Sequence, residues 1–151
     1  MIEIRYAELR DQDFWLRLDR HLPPDGFAQK TRDRQGYVLL RDERAIGLMR
    51  YNLFWDSIPF CNLLFIEEGC RRQGYGKMLM ARWEADMKEK GFGMTMVSTQ
   101  ADETAQHFYR KIGYRDCGGF TLDAQPMEII LAKPLQRGER SWLPGNGGRR
   151  Y

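Results

Sequence analysis

Arg71-Arg72-Gln73-Gly74-Tyr75-Gly76 is the stretch whose residue types and spacing point most directly to chemistry. An apolar run, Cys61 to Ile66, precedes it and reads as a buried strand, and an amphipathic helix over Tyr75–Lys90 follows. Strand, glycine turn and helix start, in that order, build an anion site. The first N–H groups of a helix have no intrahelical acceptor, and the helix dipole adds positive potential there. Glycine lets a phosphate approach the backbone with no Cβ in the way. Arg71 and Arg72 place guanidinium groups beside it.

Spacing sorts the phosphate ligands. A P-loop needs a Gly five residues before the Gly-Lys pair and a Ser or Thr after it. Here those positions hold Arg71 and Met78. A dinucleotide fingerprint needs a third small residue where Leu79 stands. Neither loop fits.

The pattern present is Arg-x-x-Gly-x-Gly after an apolar strand. Downstream runs Asp102-Glu103-Thr104-Ala105-Gln106-His107-Phe108-Tyr109-Arg110-Lys111-Ile112-Gly113-Tyr114. Together these resemble the two signatures of the GNAT superfamily of acyl-CoA-dependent N-acyltransferases, in the right order and with a strand between them. The resemblance spans roughly residues 1–133, its specific motifs lying within 64–114. It implies an α/β (α+β) fold: a mixed, mostly antiparallel sheet of six to seven strands, helices on both faces, and a central parallel pair splayed into a V. It also implies transfer of an acetyl group from acetyl-CoA, as cosubstrate, to a primary amine by direct attack, without metal. Carried over by residue, Leu64, Phe65 and Ile66 offer backbone groups to the pantetheine arm and the oxyanion. Arg71, Arg72, Gln73, Gly74, Tyr75, Gly76 and Lys77 wrap the diphosphate, and Asp102 and Tyr109 lie along the cofactor. Tyr109 is the acid for the departing thiolate. From the residues alone, Tyr109 also suits core packing, since it shares a stripe with Phe108 and Ile112. The same phosphate turn would equally serve a non-catalytic acyl-CoA sensor.

The attacking amine must lose a proton, and a carboxylate can take it directly or through water. Glu67 and Glu68, after the strand, are the candidates, with Asp56 in the preceding turn as a third. Two positions depart from the family pattern: Glu68 stands where Pro is common, and Asp102 where Asn is common. An ionised Asp cannot donate the hydrogen bond an Asn would give.

The elements that must position these groups follow from periodicity. Ile2–Tyr6 alternates as a strand. Asp11 or Asp13 caps a helix with Phe14, Trp15, Leu18 and Leu22 on one face, stopped by Pro23-Pro24-Asp25-Gly26. Phe27–Arg34 reads as a short second helix. Gly36–Arg41, Ala45–Leu53 and Ile58–Ile66 form a strand meander. Tyr75, Leu79, Trp83 and Met87 share a helix face, and Gly91 suits its C-terminal cap. Gly93–Ser98 is a fifth strand, parallel to the fourth because a helix intervenes. Asp102 caps a helix ending at Gly113, and Tyr114–Phe120 and Met127–Lys133 are the last strands. Trp15, Phe54, Trp55 and Phe60 suit the core or the wall of an acceptor pocket.

At 151 residues, 42% hydrophobic and 30% charged, the composition is that of a soluble globular domain. No apolar run approaches a membrane span, and the N-terminus lacks a signal peptide's pattern, so a cytoplasmic location without membrane partners is expected. Of 24 basic and 21 acidic residues, four arginines and one glutamate fall in residues 134–151, leaving the rest balanced. That argues against a basic face for nucleic acid. The expected organisation is a domain over 1–133 and a poorly ordered Gly/Pro/Arg-rich tail over 134–151, with Trp142-Leu143 as an anchoring point. A homodimer through a sheet edge or the tail is compatible with this. Cys61, Cys70 and Cys117 lack Cys-x-x-Cys spacing and read as reduced thiols, Cys70 beside two arginines as a packing residue. His21 and His107 have no ligand-spaced partners.

Overall fold

The computed structural model describes residues 1–135; most of the expected tail, with Trp142-Leu143, lies outside the described residues. The strands are β1 Ile2–Tyr6, β2 Gly36–Arg41, β3 Arg44–Phe54, β4 Ile58–Ile66, β5 Met94–Gln100, β6 Arg115–Phe120 and β7 Glu128–Pro134. The helices are α1 Gln12–Leu18, α2 Pro24–Arg32, α3 Tyr75–Glu89 and α4 Ala105–Lys111, with 3-10 turns at Leu9–Asp11 and Glu68–Cys70. The seven strands run in the order β1-β2-β3-β4-β5-β7-β6. The sheet is mostly antiparallel, with β4 and β5 as its parallel pair through Phe60–Met96 and Cys61–Val97. This is the expected fold class.

The chain divides into two compact units, Met1–Asn52 with Asn62–Trp83, and Leu53–Cys61 with the chain from Glu84. In the first unit, β1 pairs antiparallel with β2 from Ile2–Arg41 to Tyr6–Tyr37, and β2 with β3 from Gly36–Arg50 to Arg41–Arg44. The β2–β3 turn places Asp42 and Glu43 at φ 49° and 67°, the left-handed pair that matches the twist of a tight hairpin. The unit's core is Ala7, Trp15, Phe27, Val38, Leu40 and Leu48, joined by Phe14, Leu18, Leu22 and Phe65.

Two expectations about the first helices are corrected. The first helix ends at Leu18 rather than running to Leu22. Asp19 takes over there: its fully buried carboxylate accepts from Trp15 Nε1 at 3.1 Å and Arg50 Nε at 2.7 Å, and its backbone is extended (φ −95°, ψ 96°). Pro23-Pro24 does not stop that helix; Pro24 is the first residue of the next. A proline fits the first helical turn because its missing N–H would have no intrahelical acceptor anyway. Asp11 does hold the N-cap position of α1, but its carboxylate accepts the Glu8 N–H at 2.8 Å and Arg5 instead of capping α1.

In the second unit, β7 runs antiparallel between β5 and β6, from Met94–Pro134 to Gln100–Glu128 on one side and Arg115–Ala132 to Phe120–Glu128 on the other. Ile58, Phe60, Met94, Met96 and Ile130 form its core, with Phe54 and Ala132 against them. At the end of the order, β6 is exposed throughout. Trp55, expected in the core or a pocket wall, is 60% exposed at the tip of the β3–β4 turn, where it and Asp56 adopt positive φ. Trp15 and Phe60 are buried as expected.

Candidate active site

The path from β4 into α3 is fixed by backbone bonds. The Glu67 N–H donates to Ile46 O at 2.8 Å, extending β4 by one residue against β3, and the Cys70 N–H donates to Glu67 O at 2.8 Å to close the 3-10 turn. The Cys70 side chain is buried, a packing thiol. Arg71 is extended, Arg72 sits at φ 62° and Gly74 at φ 83°. α3 then begins, with the Met78 N–H donating to Gly74 O at 3.1 Å. The N–H groups of Tyr75, Gly76 and Lys77 therefore face outward at the helix start, where the dipole is positive. No acid stands in this first turn to compete with an anion. A Cβ added at Gly74 would meet no atom within 4 Å, so the space above the turn is open.

The side chains around the turn divide by task. Arg71 folds back: its Nε donates to Ile66 O at 2.9 Å and its guanidinium lies 5.1 Å from the Phe65 ring centroid. One carbonyl of the Leu64–Ile66 stretch, half-buried throughout, is thus engaged by the turn itself. Arg72, Gln73 and Lys77 are exposed, and Tyr75 and Gly76 are half-buried. Arg41, from the end of β2, arrives beside them. Its guanidinium lies 5.9 Å from the Tyr75 ring centroid, bonds the Tyr75 hydroxyl, and reaches Gln73 Oε1 at 3.5 Å. Nothing in the sequence marks Arg41, because its contact with Gln73 spans 32 residues.

The candidate bases differ. Glu67 has both oxygens occupied, Oε1 by Arg17 Nη2 at 2.9 Å and Oε2 by Arg44 Nη2 at 2.7 Å. Glu68 is exposed at the first position of the 3-10 turn. Asp56 is exposed in the β3–β4 turn, at the beginning of β4, whereas Glu67 and Glu68 follow its end.

The second unit carries Tyr109. It is 6% exposed on α4, with the Phe108 and Tyr114 rings edge-on at 5.2 and 6.0 Å between centroids. Burial first, then the Cys61 thiol and the Glu103 carboxylate, raise its phenol well above the ordinary value of 10.0. It keeps its proton across the physiological range, so it can donate one. Tyr114 beside it is locked: its hydroxyl donates to Glu84 Oε2 at 2.8 Å and lies 2.9 Å from Thr95 Oγ1, while Lys133 Nζ donates to Glu84 Oε1 at 2.7 Å. Asp102 is exposed and, contrary to expectation, does not cap α4; Thr104 holds the N-cap position. The segment before α4 is tied instead by Glu103, which accepts the Gln100 N–H at 3.0 Å, and by Gln106, which donates to the Ala101 and Glu103 carbonyls at 2.9 and 2.8 Å. Among the described residues, no group of three or more His, Cys, Asp and Glu could hold a metal ion, and no helix is long and apolar enough to cross a membrane.

Residues 3–114 match the acetyltransferase (GNAT) family. The chain belongs to this family and is an acyltransferase. Among solved structures it is similar to the ribosomal-protein-S18-alanine N-acetyltransferase from Escherichia coli, at 17% identity and TM-score 0.77, over 93% of this chain and 97% of that one. It is also similar to Ard1 from Thermoplasma volcanium, at 16% identity and TM-score 0.78, over 88% and 97% of the two chains. The PaiA N-acetyltransferase from Thermoplasma acidophilum, solved with coenzyme A, is similar at 16% identity and TM-score 0.68, over 89% and 99%. At such identities the likeness is one of fold. No curated protein matches the sequence.

Proposed function

We propose that the chain transfers an acetyl group from acetyl-CoA to a primary amine by direct attack, with no covalent enzyme intermediate. The observation that carries this reading is the start of α3: outward backbone N–H groups, a left-handed Gly74, no acid in the first turn, and the Arg41 guanidinium beside Tyr75. The family match supports it, as does a neighbour of the same fold that holds coenzyme A.

In this reading the N–H groups of Tyr75–Lys77, with Gly74, Arg72 and Gln73, bind the cofactor's diphosphate. Arg71 holds the turn to the end of β4 and adds its charge. Backbone groups of Leu64–Ile66 align the pantetheine arm and meet the thioester oxygen as it gains charge. Asp102 lies along the cofactor. The amine nitrogen forms the new C–N bond, the C–S bond breaks, and the Tyr109 phenol gives its proton to the departing thiolate. Burial keeps the phenol protonated when the thiolate forms. The amine's own proton goes to a carboxylate. Glu68 is open to solvent for that step; Glu67 takes it only by loosening its bonds to Arg17 or Arg44.

Titration calorimetry tests the cofactor, with acetyl-CoA expected to bind and ATP to bind weakly. A CoA-release assay against a panel of small amines, polyamines and peptides with free N-termini identifies the acceptor. A purified chain with no affinity for acetyl-CoA or CoA would overturn the reading.

A further inference from the structure

Arg41 stands beside the phosphate turn and lies outside the sequence motif. We infer that it recognises a second anionic group of the cofactor, the 3′-phosphate on the ribose of CoA, and so sets the preference for CoA over its dephosphorylated form. The inference rests on the reading of the α3 turn as the diphosphate cradle.

The first support is the way Arg41 is held. It is the last residue of β2, opposite Arg44 across the tight hairpin, so its backbone is rigid. Its guanidinium is anchored on the Tyr75 ring and hydroxyl and on Gln73 Oε1. All three contacts are neutral. They orient the fork without cancelling its charge, which leaves donors for an external anion.

The second support is contrast with five arginines of the same unit that face carboxylates; Arg71 also meets neutral groups, but it is folded back onto the end of β4. Arg17 and Arg44 share Glu67, Arg5 is spent on Asp11, Arg50 on Asp19 and Arg10 on Glu8. The acid next to Arg41, Asp42, bonds the N-terminal ammonium at 2.6 Å and acts on Arg41 only through its charge, the weakest of the influences on that guanidinium. A positioned cation whose neighbours satisfy its geometry and not its charge is poised for an anion from outside.

The third support is direction. The helix-start N–H groups open on one compact anion. Arg41 enters from the β2–β3 hairpin and not along α3, so it serves a group beside that anion. CoA carries one, a phosphate monoester separated from the diphosphate by the ribose.

The test is titration calorimetry on the full chain, comparing CoA with 3′-dephospho-CoA. The wild type is expected to bind CoA about tenfold more tightly. In Arg41→Gln the affinity for CoA falls about tenfold, while that for dephospho-CoA stays within about twofold. Tyr75→Phe, which keeps the ring under the guanidinium and removes its hydroxyl anchor, loses part of the same preference. The preference also shrinks as salt rises, since the site is exposed. Equal losses for both ligands in Arg41→Gln, or unchanged CoA affinity, would overturn the proposal and leave the diphosphate cradle standing. A wild-type chain that binds neither ligand removes the cradle and this proposal together.

Discussion

At the residue scale, one side chain and one missing side chain decide what the molecule can do. Tyr109 is buried among aromatic rings, and that same burial keeps its phenol protonated. Packing and acid catalysis thus draw on one property. Tyr109→Phe keeps the ring and deletes the proton: kcat is expected to fall about 10²-fold with CoA affinity unchanged, measured by steady-state assay and calorimetry side by side. Because the pKa is raised, the loss of the acid form lies above pH 10. A kcat–pH profile should therefore show no alkaline decline from this group up to that pH, and a decline near pH 8 that disappears in Tyr109→Phe would contradict the assignment. Gly74 carries the missing side chain. At φ 83° an alanine costs about 1 kcal/mol of backbone strain, yet its Cβ would clash with nothing in the protein. Gly74→Ala should melt within a few degrees of wild type while binding CoA several-fold more weakly, because the Cβ occupies the space a phosphate needs.

At the element scale, ion pairs hold the helices that carry the site. Glu84 on α3 accepts from Tyr114 and from Lys133 on β7, all three within one unit. Glu84→Ala strands a half-buried ammonium and leaves the buried Tyr114 hydroxyl with Thr95 alone, and is expected to cost about 2–3 kcal/mol in chemical denaturation. Lys133→Met should cost less, since it removes one charge and leaves the Tyr114–Glu84 bond. Asp11 ties β1 to the start of α1. Burial disfavours its charge, but the bonds from Arg5 and the Glu8 N–H outweigh that and hold it below its ordinary value of 3.8. A depressed folded-state pKa means the stabilisation is complete above about pH 4 and is lost as pH falls further. Acid unfolding followed by circular dichroism should therefore be shallower below pH 4 in Asp11→Asn than in wild type. Equal slopes would mean the Arg5 pair contributes nothing.

At the scale of the whole molecule, the net charge of +3 comes from the basic C-terminal stretch, while the rest is balanced. We propose that the domain is separable from that stretch, with its boundary just past β7, where the Leu135 N–H still donates to Gly93 O at 2.9 Å. A chain ended after Leu135 is expected to melt within about 3 °C of the full chain and to bind CoA equally well. A larger drop would assign residues 136–151 a part in the fold.

The sequence by itself determined the strands, the long helix and the phosphate turn, because each has a local cause: alternation in β1, the apolar runs of β2 and β4, the Leu79–Trp83–Met87 stripe on α3, the glycine spacing at its start. It misread Pro24 and Asp102, where two local rules compete, since a proline both ends and begins helices and more than one polar residue before α4 could have capped it. Only the tertiary structure decided which carboxylates are already spoken for. Glu67 is clasped by Arg17 and Arg44, which lie 50 and 23 residues away. Only it placed β7 inside β6 and brought Arg41 to Gln73 across 32 residues. Periodicity and capping act within a few residues, whereas electrostatic partnership depends on which distant segments the chain folds together.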